Sequence, residues 1–191
     1  MRIHTPARFL AAALTVVVVG CSGGAAPAPT PSPAGPTPTP ARVDDTEGRY
    51  QLVFELPRTN WRTTDSIAGQ ATLSLIGAGA VDFGASGQGP LAFGFDEVGG
   101  SRHAGWSMTA DCAYYHLDAG QSISSSINKS GGYEGDAAPS DFNRWFTKDQ
   151  LVYLPAGDWT ITAVANLVDG AGCSGGAYTL KAAVLVHVTA G

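Results

Sequence analysis

The residues of this chain whose types and spacing could do chemistry are few. Cys112 and Cys173 are the cysteines left once Cys21, near the N-terminus, is set aside. Neither has the CxxC neighbour that a redox or zinc-thiolate site would use, so in an oxidising compartment the two are expected to bridge. Ser174 lies in Gly172-Cys173-Ser174-Gly175-Gly176, a G-x-S-x-G pattern. A serine in that pattern is exposed as a nucleophile when its turn joins a strand to a helix. Here a glycine pair leads instead into a strand-like alternation. The same pentapeptide stands at Gly20-Cys21-Ser22-Gly23-Gly24, where catalysis is impossible, so Ser174 is given no catalytic role. His103, His116 and Met108 carry donor atoms for a soft metal but fall in no recognisable ligand pattern. His187 reads as the outer face of a strand. Asp44, Asp45 and Glu47, or Asp96 and Glu97, have the charge for calcium without EF-hand spacing, and solvated carboxylates are expected. The reading is no catalytic residue, no metal and no cofactor.

The Ser174 pentapeptide also resembles the Gly-Asp-Ser-Gly-Gly of chymotrypsin-like proteases. The likeness covers five residues, puts Cys173 where that family has Asp, and lacks its upstream histidine segment. A better candidate is the stretch 130–148, too long for a hairpin connection and therefore of the kind that carries function or covers a core. It holds Tyr133, Phe142, Arg144, Trp145 and Phe146, the aromatic and arginine mix favoured where proteins bind. Pro139-Ser140-Asp141 can cap a single helical turn that projects these side chains together. Two readings stand side by side. Either the five form a binding loop, or Phe142 and Phe146 plug the open end of the fold while Tyr133 is a turn residue.

The elements that must position these residues are strands. From Leu151 to Leu167 an apolar run stops at Pro155, turns through Ala156-Gly157-Asp158, and restarts as a strict alternation. Trp159, Ile161, Ala163, Ala165 and Leu167 share one face, and Thr160, Thr162, Val164 and Asn166 the other. Residues 178–188 alternate likewise, with Tyr178, Leu180, Ala182, Val184, Val186 and Val188 on one side. Shorter alternations begin at Tyr50, Ala71, Val81, Leu91 and Trp106, separated by Gly- and Pro-rich turns. A convincing 3.6-residue period is missing. Seven to nine strands without βαβ alternation predict an all-β, antiparallel sandwich of immunoglobulin-like type over residues 49–191. The Leu154-to-Trp159 turn resembles the tyrosine corner of such domains, with Trp159 in the aromatic position and its indole N–H as the available donor.

The N-terminus reads as an address. Arg2 and Arg8 precede an apolar run from Phe9 to Val19, about half a membrane span in length. It closes on Val18-Val19-Gly20-Cys21, which resembles the lipobox of bacterial lipoproteins. That resemblance implies a signal peptide over residues 1–20, a thioether-linked diacylglycerol with further acylation (palmitate-type chains) on Cys21, and a domain facing the extracytoplasmic side of the cell membrane. Residues 21–48 are expected to be a lipidated cysteine followed by a disordered tether, since seven of the twelve prolines fall between Pro27 and Pro40. The formal net charge is −5, and removing residues 1–20 with Arg2 and Arg8 takes it to −7. An acidic chain with three lysines and no basic cluster is unsuited to nucleic acid.

The function expected from these features is that of a membrane-anchored, non-catalytic domain that binds a protein or a small ligand by its loops. The Leu-x-Ala-Gly-then-strand pattern distantly resembles small bacterial sandwich inhibitors of intracellular proteinases. It implies an inhibitor or accessory subunit as the alternative. An enzyme whose site assembles from distant residues is the third reading.

Overall fold

The structure, a computed structural model, describes residues 38–129, 140–170 and 173–191. The expected signal peptide, Cys21, most of the proline-rich tether and Tyr133 lie outside the described residues.

The two long alternations of the sequence build the frame. β10 (Gly157–Asp169) and β11 (Ala177–Thr189) pair antiparallel from Gly157↔Val188 to Val168↔Ala177. Both strands put their apolar set inward: Trp159, Ile161, Ala163, Ala165 and Leu167 are buried, as are Leu180, Ala182, Val184, Val186 and Val188. β6 (Leu91–Glu97) pairs with the first half of β10, from Trp159↔Glu97 to Ala165↔Leu91. β5 (Val81–Ser86) meets only the end of β10, through Val168↔Gly84 and Asp169↔Phe83, and carries β8 (Cys112–Leu117) on its other side. The two-residue β7 (His103–Ala104) borders β6, and β3 (Asn60–Arg62) joins the end of β11 as a short parallel pair in an otherwise antiparallel sheet. The second sheet has the order β1 (Ala41–Glu47), β2 (Tyr50–Leu56), β4 (Gln70–Leu75), β9 (Ser122–Ser126).

The two sheets pack face to face, an all-β sandwich as the strand pattern requires. Aromatic rings bridge them: Phe54 of β2 lies 5.9 Å from Phe93 of β6, and Tyr50 meets Phe83 edge-on at 5.9 Å. Such pairs add about 0.5–1.5 kcal/mol each beyond burial of their area. Tyr50 is fully buried, and its hydroxyl donates to Asp169 Oδ1 at 2.6 Å. Burial, with that carboxylate as neighbour, raises the phenol far above its ordinary range, so it stays a donor.

The structure departs from the sequence expectation in three places. Residues 41–47, expected in the disordered tether, form β1, paired with β2 along its whole length from Ala41↔Leu56 to Glu47↔Tyr50. Their polarity hid the strand; the acidic side chains have structural work. Asp45 and Glu47 accept the backbone N–H groups of Lys181 (2.8 Å) and Thr179 (3.0 Å) on the otherwise unpaired edge of β11. Capping the edge this way blocks that stretch of the ladder to another chain. The strand expected at Trp106 and Met108 is instead irregular chain over residues 105–110, where Trp106 lies against Gly94 of β6. Lastly, short strands raise the number among the described residues to eleven, beyond the seven to nine expected.

Candidate functional site

At one end of the sandwich the chain enters β10 through a tight corner. Gly157 has φ +145°, open to glycine and strained for other residues. Just beyond it Trp159 is fully buried and donates its indole N–H to the Pro155 carbonyl at 2.9 Å. The hydrogen bond of the corner motif is therefore made, by an indole in place of a phenol. Arg102 sits over the same ring, 5.1 Å from guanidinium carbon to ring centroid. It is held there by both oxygens of Glu97, with Nε to Oε2 at 2.8 Å, and by the Ala156 carbonyl at 3.2 Å. The paired guanidinium keeps the Glu97 carboxyl below its usual range, and the carboxylate in turn raises Arg102. Glu97 and Arg102 flank Gly99-Gly100, so turn and ion pair fix each other. Among described residues no partner is recorded for the guanidinium's remaining nitrogen, Nη1.

Against this corner packs the single helical turn α1 (Asp141–Phe146). Ser140 caps it, its hydroxyl accepting from Asn143 N at 3.1 Å, as the Pro-Ser-Asp sequence foretold. Six residues cannot hold a helix alone. Packing does it: Phe142 lies 5.3 Å from Trp159, and Phe146 lies 5.1 Å from Phe95 and 5.4 Å from Phe142. Lys129 closes the other end of the turn, donating to the carbonyls of Phe146 and Asp149 with its ammonium 4.4 Å above the Phe146 ring. Desolvation lowers its pKa, since the amine leaves water for this contact.

The five residues of the expected binding loop therefore separate. Phe142 and Phe146 are buried and plug the end of the sandwich. Arg144 pairs with Asp141. Trp145 remains 44% exposed and stands between two hollows. The larger, about 650 Å³, is walled by Trp145, Phe142 and Pro155 with Arg102, Asp141 and two serines at its rim. The smaller, about 260 Å³, lies between Trp145, Tyr153, Lys129 and Lys148. Arg102 and Lys129 were not singled out in the sequence. For Arg102 the signal was opposite charges on either side of a Gly-Gly turn; for Lys129 there was none.

Cys112 and Cys173 form the expected disulfide, Cα to Cα 6.3 Å. The bridge crosses β5 at Gly84, where a methyl group would collide with Cys173 Sγ and come within 3.1 Å of Cys112 Sγ. Beside it lies a cavity of about 330 Å³, lined in part by Met108, Tyr178 and Asn166, whose buried Oδ1 finds no partner among the described residues. Such an oxygen is ordinarily met by water. The other candidates are dispersed. His116 faces Asp82 across the β5–β8 pair at 2.7 Å, while His103 faces Asp96 at the end of β6. His187 bonds Asp158 at 2.6 Å. Ser174 is exposed in the turn between β10 and β11. Among the described residues, no three His, Cys, Asp or Glu side chains are grouped to hold a metal ion, and no helix is long and apolar enough to cross a membrane.

The sequence matches no protein-family model and no curated protein. What the site offers is its own geometry: a half-exposed tryptophan, flanked by buried Phe142 and Phe146, between a largely apolar hollow and a smaller one lined by Lys129, Lys148 and Asp149.

Proposed function

We propose that this protein is a lipid-anchored extracytoplasmic binding protein whose sandwich domain recognises its partner at the α1 end and performs no catalysis. The observation that carries the reading is Trp145. Its neighbours on the turn, Phe142 and Phe146, are buried, so a large apolar ring is held half in solvent on a rigid support. Side chains ordered in advance lose little entropy on binding, and tryptophan and arginine dominate contact energies where proteins meet ligands. The lipobox-like Val18-Val19-Gly20-Cys21 and the proline-rich stretch after it support the anchored placement. The test is capture of partners from the native membrane with wild-type protein and with Trp145→Ala and Arg144→Ala. Loss of a partner in either variant is expected; an identical set of partners in all three removes the loop from the site.

A further inference from the structure

We infer that the α1 end is a membrane-docking face, resting on the bilayer into which the chain is anchored; this names the partner of the site proposed above and rests on that reading. Strand register shows which end the chain enters. Ala41, the first residue of β1, pairs with Leu56 at the end of β2, and the following residues lead into β3, whose partners are the last residues of β11. Those pair in turn with Gly157 and Asp158, beside Trp159 and α1. The chain preceding Ala41 therefore leaves the domain at the end that α1 plugs. The nineteen residues between Cys21 and Ala41 can extend no further than roughly 60 Å, so the α1 end is the one held within that reach of the anchor.

The surface chemistry is graded along the same axis. Arg58, Arg62, Arg102, Lys129, Arg144 and Lys148 are all at the α1 end, with Asp65, Glu97, Asp141, Asp149 and Asp158 among them, so this end is close to neutral. Of the cations, Arg62, Lys148 and Lys129 make no side-chain ion pair among the described residues, and the Lys129 ammonium donates to two backbone carbonyls. Three large apolar side chains are exposed there as well: Trp145, Leu151 and Val98, the last in the turn after β6. The far end and the β1 flank hold Asp82, Asp118 and Asp169 with Asp44, Asp45 and Glu47, against Arg42, Arg49 and Lys181. An anionic leaflet repels the acidic pole more than the near-neutral α1 end, which offers Arg62 and Lys148 to the headgroups and the indole to the interface that tryptophan prefers. Tethering supplies a local concentration of about millimolar, so even a weak face stays docked. The acidic pole is then presented outward.

The test uses the full lipidated chain, extracted and reconstituted in phosphatidylcholine–phosphatidylglycerol vesicles, with and without bromine on the acyl chains. Intact mass reports the lipid on Cys21, and tryptophan emission reports contact with the bilayer. Trp61 and Trp159 are buried, and the 36% exposed Trp106 is removed as Trp106→Phe in every protein compared, so the expected result is bromine quenching that disappears in Trp145→Phe and weakens in Leu151→Ser. Lipid present on Cys21 with equal quenching in wild type and Trp145→Phe overturns the docking face and leaves the anchor standing. Lipid absent overturns the anchored reading, and the docking face with it. Absent quenching, together with a protein captured from the native membrane by wild type and lost in Trp145→Ala, likewise overturns it, in favour of a protein partner.

Discussion

Phe146→Ala separates the plug from the recognition surface, because the two roles meet in adjacent residues. Phe146 is 3% exposed and packs on Phe95 at 5.1 Å and Phe142 at 5.4 Å, beneath the Lys129 ammonium. Removing a buried phenylalanine costs about 3–5 kcal/mol, the lower figure where the surroundings can collapse. A single turn joined to irregular chain can collapse, so about 3 kcal/mol is expected. For a domain of this size that is a fall in Tm of about 6–12 °C. Trp145, next to it and 44% exposed, is expected to cost about 1 kcal/mol or less as Trp145→Ala, chiefly its contact with Phe142 at 5.9 Å. The assay is urea denaturation of the three proteins with the disulfide intact, read by circular dichroism with m-values compared. If Trp145→Ala costs as much as Phe146→Ala, Trp145 belongs to the core and the exposed-anchor reasoning is wrong. If Phe146→Ala costs less than about 1 kcal/mol, α1 is not a packed plug at all.

Four further outcomes follow from the same contacts. Replacing Cys112 and Cys173 together by serine opens a loop of 61 residues and is expected to lower stability by about 4 kcal/mol in the chain-entropy model, measured by denaturation with and without reductant. Gly84→Ala puts a methyl group in the path of the bridge; free thiols should appear in alkylation mass spectra, or stability should drop by about 1–3 kcal/mol with the bridge retained. Trp159→Phe leaves the Pro155 carbonyl without its donor and is expected to cost at least about 1–3 kcal/mol in the same denaturation assay. His116 is held protonated first by Asp82 and then by Asp118, so its NMR titration midpoint should lie above 6.5 and fall back in Asp82→Asn. Because the folded pKa is the raised one, the pair's contribution is complete below pH 6.5 and is lost as pH climbs through the folded midpoint.

Where the sequence was legible, one physical rule was acting alone. In β10 and β11 burial of one face dominates, so period two survives in the residues and the inward set could be read off directly. The Ser140 cap and the Cys112–Cys173 pairing were legible for the same reason, each being a local or arithmetical constraint. Reading failed where tertiary partners overrode local chemistry. Trp106 and Met108 alternate as a strand would, yet the chain there crosses the outer face of β6, where Gly94 leaves room for an indole. That Phe142 and Phe146 plug the end was one of two readings the residues allowed and is the one found; what the sequence left open was the choice between them, because which face of a single turn is buried depends on Trp159 and Phe95, distant in sequence.

β1 shows how that override bears on function. Asp44-Asp45-Thr46-Glu47 looks like the end of a solvated linker, and by hydropathy it is one. Its carboxylates become structural only because β11 offers unpaired N–H groups at Thr179 and Lys181, so the strand and the edge it covers define each other. The consequence is mechanical. With residues 41–47 locked into the second sheet, any anchored segment begins before Ala41, at the end of the domain where α1 and Trp145 lie. Had these residues been part of the tether, the chain would enter at Tyr50, at the opposite end of the sandwich, and that end would be the tethered one. Asp45→Asn with Glu47→Gln keeps the shape but weakens both acceptors. Amide exchange at Thr179 and Lys181 should quicken while that of the β10–β11 ladder holds. Unchanged exchange at those two amides would show that the carboxylates do not hold the edge.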